Sequence, residues 1–170
     1  IGGVFYLGKG EAMHKITREE FAERIVAARI KPRLRKILRF VPEEIADWDD
    51  RDFLAVTDKS GNEGVLIYQD TLAPFTLSSR VARAGGQVAA IICDICATWR
   101  RGPESAVLTL PKGDNRSVSY LVCADLNCSL HVRGMTDAGM LSRSQIREDI
   151  TPDRRKERLR ERLTAILRAD

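Results

Sequence analysis

The chain has 170 residues, of which 44% are hydrophobic and 31% are charged, and its formal charge at neutral pH is +4. This length supports one sizeable core or two small lobes, and the composition excludes a disordered tail. The longest apolar runs, such as residues 88–93, are too short to span a bilayer, and we expect a cytoplasmic protein.

Residues 1–12 are predicted to be a leader or cloning-derived segment. They read IGGVFYLGKGEA, with four glycines and no periodic apolar pattern, and Met13 follows directly. We expect the native start at Met13. The predicted organisation is then an N-terminal helical section over residues 13–50, an α/β zinc-binding domain over residues 51–150 and a C-terminal helix over residues 151–170.

The N-terminal section is predicted to hold two helices and a short turn. Thr17 and Glu20 form a capping-box pattern, and apolar residues recur on one face as far as Arg29, which predicts the first helix. Apolar residues at helical spacing over residues 34–41 predict a second helix, whose other face is basic. A short turn follows and ends near Trp48.

Short apolar runs rich in β-forming residues dominate residues 51–150. The first two runs are separated by turn-forming residues 58–64, and a later pair flanks the sequence PKGDN at residues 111–115, so each pair predicts a β-hairpin. Two of the runs lead directly into cysteines, which places each cysteine pair at a strand end. The predicted strands are residues 53–56, 65–68, 88–92, 106–110 and 118–122.

The four cysteines of the chain are Cys93, Cys96, Cys123 and Cys128, and they form the pattern C-x2-C-x26-C-x4-C. A tetrahedral zinc ion takes four thiolates at about 2.3 Å, and two short cysteine loops brought together by a hairpin supply that geometry. The pattern therefore predicts one structural zinc ion. The alternatives are two disulfides, four unrelated core thiols, or a ligand set in which His131 replaces Cys128.

A shell of four thiolates leaves no open position for water or substrate, so this metal is predicted to stabilise the fold rather than to catalyse. The sequence also lacks a Walker-type phosphate loop, a G-x-S-x-G elbow and the H-x-E motif of zinc deaminases. We therefore predict a protein that is not an enzyme. Four acidic residues lack the spacing of a calcium loop and are predicted to form a solvated turn: Asp47, Asp49, Asp50 and Asp52.

Basic residues are distributed unevenly along the chain. Residues 29–39 hold six basic residues and no acid. Such segregation creates either a directional electrostatic field at the protein surface or an ordinary solvated helix face. The C-terminal helix is capped at Thr151, with an apolar stripe from Leu159 to Leu167 and a basic exterior over residues 154–162. A zinc-containing RNA-binding or ribosome-binding protein that uses these basic helices is therefore the alternative to a protein-binding module.

Three segments together resemble the FusB-type elongation factor G-binding proteins, the fusidic-acid resistance family. They follow an N-terminal helical section and read WDDRDFL at residues 48–54, CDICATWR at residues 93–100 and SYLVCADLNC at residues 119–128. The resemblance implies an α+β fold with a short N-terminal helical section, antiparallel hairpins that form a treble-clef-like four-cysteine zinc lobe, and a C-terminal amphipathic helix. It also implies that the four cysteines bind one zinc ion.

The resemblance further implies a function without chemistry. Members of this family bind elongation factor G through the zinc lobe and promote its release from the ribosome, which relieves blockage by fusidic acid. Tryptophan and arginine are favoured interface anchors, so we predict the contact residues among exposed groups of this lobe. The predicted partner-binding residues are Ile95, Trp99, Arg100, Arg101, Lys112, Arg116, Leu126 and Asn127.

Overall fold

The computed structural model describes residues 13–80, 86–113, 115–140 and 150–168, so the predicted leader segment lies outside the described residues. The predicted domain boundaries remain predictions. The described helices are α1 (Arg18–Ala27), α2 (Pro32–Ile37), α3 (Cys128–Val132), α4 (Asp137–Met140) and α5 (Pro152–Arg168), with short 3-10 turns at Pro42–Glu44, Trp48–Asp50 and Gly102–Glu104. The described strands are β1 (Leu54–Thr57), β2 (Glu63–Tyr68), β3 (Thr71–Ser79), β4 (Ile91–Ile92), β5 (Trp99–Arg100), β6 (Ser105–Lys112) and β7 (Arg116–Cys123).

Five of the strands form one antiparallel sheet in the order β1-β2-β3-β6-β7, and β4 pairs with β5 in a separate two-stranded ribbon. The two predicted hairpins are confirmed, since β1 pairs with β2 and β6 pairs with β7. Helices and antiparallel sheets together confirm the predicted α+β class. The ribbon of β4 and β5 is an insertion between two neighbouring strands of the large sheet, β3 and β6.

One face of the sheet carries the core that surrounds the cysteines. Leu66, Phe75 and Leu108 from three strands pack in one buried cluster with Leu159 and Leu163 of α5. The apolar stripe predicted for the C-terminal helix is therefore buried as expected. At the start of α5, the Thr151 hydroxyl accepts a hydrogen bond of 3.3 Å from the Arg154 backbone N–H, which confirms the predicted cap.

The opposite face of the sheet packs against the N-terminal helical section. Val65 and Ile67 lie in a second buried cluster with Phe21 and Ile25 of α1. Because side chains alternate between the two faces of a strand, Val65 and Ile67 point to one layer while Leu66 points to the other. The central strand β2 is therefore apolar and buried on both faces.

Helix α1 begins and ends with hydrogen bonds that the sequence explains. The Thr17 hydroxyl accepts a hydrogen bond from the Glu20 backbone N–H at 3.1 Å. The Glu20 carboxylate contacts His14 and Arg24, rather than the Thr17 backbone N–H as in a complete capping box. At the other end the Arg29 N–H donates to the Val26 carbonyl and the Ile30 N–H donates to the Ile25 carbonyl, the pattern of a Schellman motif.

Arg29 has φ 53°, the left-handed conformation that this motif requires and that glycine adopts without steric cost. We expect Arg29→Gly to stabilise the protein by about 1 kcal/mol, because the left-handed region costs other residues about that amount. Urea unfolding followed by circular dichroism measures the change. Ala28→Gly is the control, since its φ is −76° and glycine there removes no strain; a loss of stability in Arg29→Gly would contradict the interpretation.

Two parts of the N-terminal half differ from the prediction. Helix α2 ends at Ile37 rather than near residue 41, because Leu38 is extended and the Arg39 N–H donates to the Thr57 carbonyl at the end of β1. Strand β3 was not predicted, since Pro74 interrupts the apolar pattern and Thr76, Ser78 and Ser79 follow it. Proline is tolerated there because β3 pairs with β6 only from Thr76 onward.

Asp52 is the acidic residue whose environment differs most from the predicted solvated turn. Its side chain is 1% exposed, and its two carboxylate oxygens accept from Arg133 at 2.5 Å and from Arg160 Nε at 2.7 Å. Its backbone N–H donates to the Ser129 hydroxyl at 3.0 Å. The carboxylate thus connects the segment before β1 to the end of α3 and to α5, and the prediction for this residue was wrong.

Replacing Asp52 by alanine leaves two largely buried arginines without their shared carboxylate. We expect Asp52→Ala to lower the free energy of unfolding by about 3–5 kcal/mol, the usual cost of removing one partner of a buried ion pair. The exposed Asp49 lies in the same segment, so Asp49→Ala is the matched control with an expected change below about 0.5 kcal/mol. Equal denaturation midpoints for the two variants would show that the buried cluster contributes nothing.

Candidate metal centre

The four cysteines come from three elements that meet at one end of the large sheet. Cys93 and Cys96 lie in the loop between β4 and β5, Cys123 ends β7, and Cys128 begins α3. The two ligand pairs are presented by the β4–β5 ribbon, the β6–β7 hairpin and helix α3. This is the treble-clef arrangement. The prediction that each cysteine pair lies at a strand end is confirmed.

Both ligand loops are closed by local backbone hydrogen bonds. In the first loop the Cys93 N–H donates to the Thr98 carbonyl and the Ala97 N–H donates to the Cys93 carbonyl, each at 2.9 Å. In the second loop the Leu126 N–H donates to the Cys123 carbonyl at 3.1 Å. Ala97, directly after Cys96, and Leu126, between Cys123 and Cys128, both have positive φ, 58° and 52°, so each loop contains one left-handed residue that turns the chain sharply.

The four Sγ atoms lie within 4.8 Å of one another, with Cys93 to Cys128 at 3.8 Å and Cys96 to Cys123 at 3.6 Å. A disulfide requires about 2.05 Å between sulfurs, and all four cysteines are free, so the disulfide alternative does not hold. Bond lengths of about 2.3 Å in a tetrahedron place sulfurs about 3.8 Å apart, which matches the observed spacing. The donor set fits zinc, and these residues form one structural zinc site.

The electrostatics of the cluster show why it needs a cation. Hydrogen bonds from the thiols of Cys123, Cys128 and Cys96 hold the pKa of Cys93 well below its usual range, so one thiolate is stabilised by its neighbours. The same contacts, led by that with Cys123, raise the pKa of Cys128, because a second thiolate would be repelled by the first. A bound Zn²⁺ removes this repulsion and allows all four thiols to ionise.

His131 is adjacent to the metal site but is engaged elsewhere. Its Nδ1 lies 2.7 Å from the Thr136 hydroxyl and its Nε2 lies 3.2 Å from the Asp125 carboxylate. Cys123, Asp125 and His131 also bring potential ligand atoms together, but the four sulfurs already supply a complete tetrahedral set. His131 therefore supports the loop between Cys123 and α3 rather than replacing Cys128.

The first cysteine loop is held against both the hairpin and α5. Asp94 exchanges two hydrogen bonds with the backbone of Leu121 in β7, at 2.8 Å and 2.6 Å. Arg162 of α5 donates to the carbonyls of Cys93 and Asp94 at 3.2 Å and 3.3 Å. Helix α5 therefore fixes the metal loop as well as covering the sheet, a role that its basic composition did not reveal.

The predicted partner-binding residues separate into three groups by exposure. Ile95, Leu126 and Arg100 are buried, at 0%, 6% and 8% exposure, so they support the lobe from inside. Arg101 and Arg116 are exposed, and Arg101 pairs with Glu104 at 2.5 Å. Partly exposed positions are Trp99, Lys112, whose Nζ lies 3.3 Å from the Ile166 carbonyl, and Asn127, whose side-chain oxygen lies 3.4 Å from Arg51.

A cleft of about 310 Å³ opens beside the metal site. Arg100 extends into it with a buried Nε that has no hydrogen-bond partner, and its Nη2 is 3.8 Å from the Asp125 carboxylate. Sequence reasoning missed the acidic side of this cleft, since Asp125 lies between two metal ligands with no sign of its own role and Asp137 begins the short helix α4, which was not predicted. The lining residues are Trp99, Arg100, Arg101, Glu104, Asp125, His131, Thr136, Asp137 and Ala138.

Comparison with known families identifies the arrangement. The model of the FBP C-terminal treble-clef zinc-finger family matches residues 32–169. This chain belongs to that family. The match covers the sheet, the cysteines and α5, and it confirms the resemblance to the FusB-type proteins. Comparisons with curated proteins and with solved structures found no match. Across the described ranges, this family member has no helix long and apolar enough to cross a membrane.

Zinc removal should unfold the lobe. Metal binding of this kind supplies about 10–16 kcal/mol, comparable to the net stability of a domain. We expect one zinc per chain by atomic emission, and loss of the near-ultraviolet circular dichroism signal when a strong chelator is added. Cys96→Ser should lose both zinc and signal, whereas Ala124→Ser, a substitution in the loop between the second ligand pair, should keep both. A chelated protein with native dichroism would refute a stabilising role for the metal.

Proposed function

We propose that this protein binds translation elongation factor G through the surface of its zinc lobe and promotes release of the factor from the ribosome, which would protect translation from fusidic acid. The observation that carries the proposal is membership of the FBP C-terminal treble-clef zinc-finger family over residues 32–169. Because the factor acts on cytoplasmic ribosomes, the proposal places this protein in the cytoplasm.

The site supports binding rather than catalysis. Four buried thiolates saturate the zinc ion, so no coordination position is open for water or substrate. We propose that the protein acts without chemistry and that the zinc only holds the binding surface in shape. The contact would then stabilise a conformation of the factor that leaves the ribosome.

The contact surface that we propose is the rim of the cleft beside the metal site. Trp99 lies on this rim with part of its indole accessible, and Arg101 is exposed next to it. Tryptophan and arginine in a concave setting are the residues that most often dominate binding energy at protein interfaces. Arg116 on β7 adds a cation on the outer surface of the same lobe.

Titration calorimetry of the zinc-loaded chain against elongation factor G from the same organism tests the proposal, at low and at physiological salt. We expect one-to-one binding at both salt concentrations, with higher affinity at low salt because salt screens the basic groups. If no complex forms at low salt and none forms at physiological salt, the factor is excluded as a direct partner.

The double variant Trp99→Ala with Arg101→Ala should weaken binding by about tenfold or more while retaining zinc, because both anchors of the rim are removed. Val26→Ala with Arg33→Ala is the matched control, since it removes one large and one basic exposed side chain from the N-terminal section on the other face of the sheet. Equal affinities of the two double variants would exclude the cleft rim as the contact surface.

A second assay follows release itself. Factor trapped on ribosomes by fusidic acid should dissociate faster when the wild-type chain is added, and the Trp99→Ala with Arg101→Ala variant should accelerate dissociation less. If the chain binds elongation factor G but does not accelerate its release, the factor remains the proposed partner and the role in release is excluded.

A further inference from the structure

Most of the basic residues of α5 have partners within the fold. Arg160 binds the buried Asp52, and Arg162 donates to two backbone carbonyls of the metal loop. On the outer face, Arg154 pairs with Glu157 and Glu161, and Lys156 pairs with Asp153. The basic exterior predicted from the sequence is thus largely neutralised by internal ion pairs.

The basic run at residues 29–39 contains a different arrangement. Arg33 makes a bidentate contact with Glu63, at 3.0 Å and 3.1 Å, and Arg39 pairs with Glu44 at 3.1 Å. The other four cations are exposed and form no ion pair or side-chain hydrogen bond with any described residue. We name them the basic corner: Arg29, Lys31, Arg35 and Lys36.

The backbone at Arg29 adds an independent observation. Arg29 occupies the left-handed position that ends α1, where glycine would be more stable. Strained backbone of this kind persists only where the surrounding structure holds it, and it is enriched at functional sites. Arg29 lies two residues before Lys31, and Lys31 lies one helical turn before Arg35, so Lys31 and Arg35 lie on one side of α2.

The basic corner is far from the proposed factor-binding rim in the architecture of the fold. Helix α1, which leads into it, packs on the sheet face formed by Val65 and Ile67, whereas the cysteines pack with the opposite face. The protein therefore presents two surfaces on opposite sides of one sheet. A ligand on the basic corner leaves the cleft rim accessible.

We propose that the basic corner binds the phosphate backbone of double-stranded RNA. Four cations with no partner among the described residues suit the charges of a phosphate backbone, and phosphate contacts carry no base preference. The nearest aromatic rings do not offer a stacking platform, because Phe40 packs against Phe21 with ring centroids 4.3 Å apart. The surface therefore fits a duplex rather than unstacked single-stranded bases.

Fluorescence anisotropy of the zinc-loaded full chain with a labelled RNA duplex of about 16 base pairs tests this proposal over a salt series. We expect the logarithm of the affinity to fall linearly with the logarithm of salt concentration, by about 0.9 per phosphate contact. Lys31→Gln with Arg35→Gln should reduce that slope by about 1.8 and weaken binding on the order of tenfold at physiological salt.

Arg33→Gln with Arg39→Gln is the matched control. It removes the same two charges from the same segment, but from arginines that are already paired with Glu63 and Glu44. We expect a much smaller change in slope, because only long-range charge is lost. Equal effects of the two double variants would overturn the proposal, since they would show attraction by net charge alone.

Arg29→Gly provides a test that misfolding cannot mimic. We expect its melting temperature to rise while its affinity for the duplex falls about threefold to fivefold, the contribution of one phosphate contact. Unchanged RNA affinity would remove Arg29 from the site.

Polyglutamate and vesicles of phosphatidylglycerol are the alternative probes. The proposal would be overturned if either probe bound more tightly than RNA and lost that binding in Lys31→Gln with Arg35→Gln. Such a result would favour an acidic protein or a membrane surface as the partner. The factor-binding titration is separate, because its test variant, Trp99→Ala with Arg101→Ala, lies on the other face of the sheet. Either proposal can therefore fail while the other stands.

Discussion

Four thiols that meet within 4.8 Å cannot all ionise unless a cation lies between them. This constraint governs the zinc lobe. The metal joins the β4–β5 loop, the end of β7 and the start of α3, and it adds to the hydrogen bonds that hold the loop against β7 and α5. Because Cys123 belongs to β7 of the large sheet, the metal also anchors the β4–β5 ribbon to the main core. The cleft beside the site is lined by residues of these same elements, so we expect its shape to depend on the bound ion.

A second interaction joins the two layers on either side of the sheet. Asp52 lies where the N-terminal section enters β1, and its carboxylate receives arginines from α3 and α5. Buried ion pairs contribute little net stability, but they penalise arrangements that leave one member unpaired. Asp52 thus specifies how α5 lies across the zinc lobe. The apolar stripe of α5 supplies the burial energy, and the ion pairs select one orientation.

The sequence was informative where a local pattern decided the structure. The cysteine spacing, the cap at Thr17, the stripe on α5 and the β6–β7 hairpin were all predictable, because each depends on residues close together in the chain. The sequence was less informative where contacts between residues far apart in the chain determined the structure. Nothing in the acidic run distinguished Asp52 from Asp49, since its arginine partners lie 81 and 108 residues away. Pro74 concealed β3 for a similar reason, because its tolerance depends on where β6 begins to pair.

The same separation along the chain has a consequence during synthesis. Residues emerge from the ribosome at about 5–20 per second, so Asp52 waits on the order of ten seconds before Arg160 exists. In the last part of that interval, after Cys128 has been made, the sheet and the four cysteines are complete, but the face around Leu66 and Phe75 has no cover. Early capture of zinc would hold this unfinished chain in a near-native arrangement and keep its exposed face from pairing with other nascent chains. The ion would then stabilise the nascent chain during translation before it stabilises the finished protein.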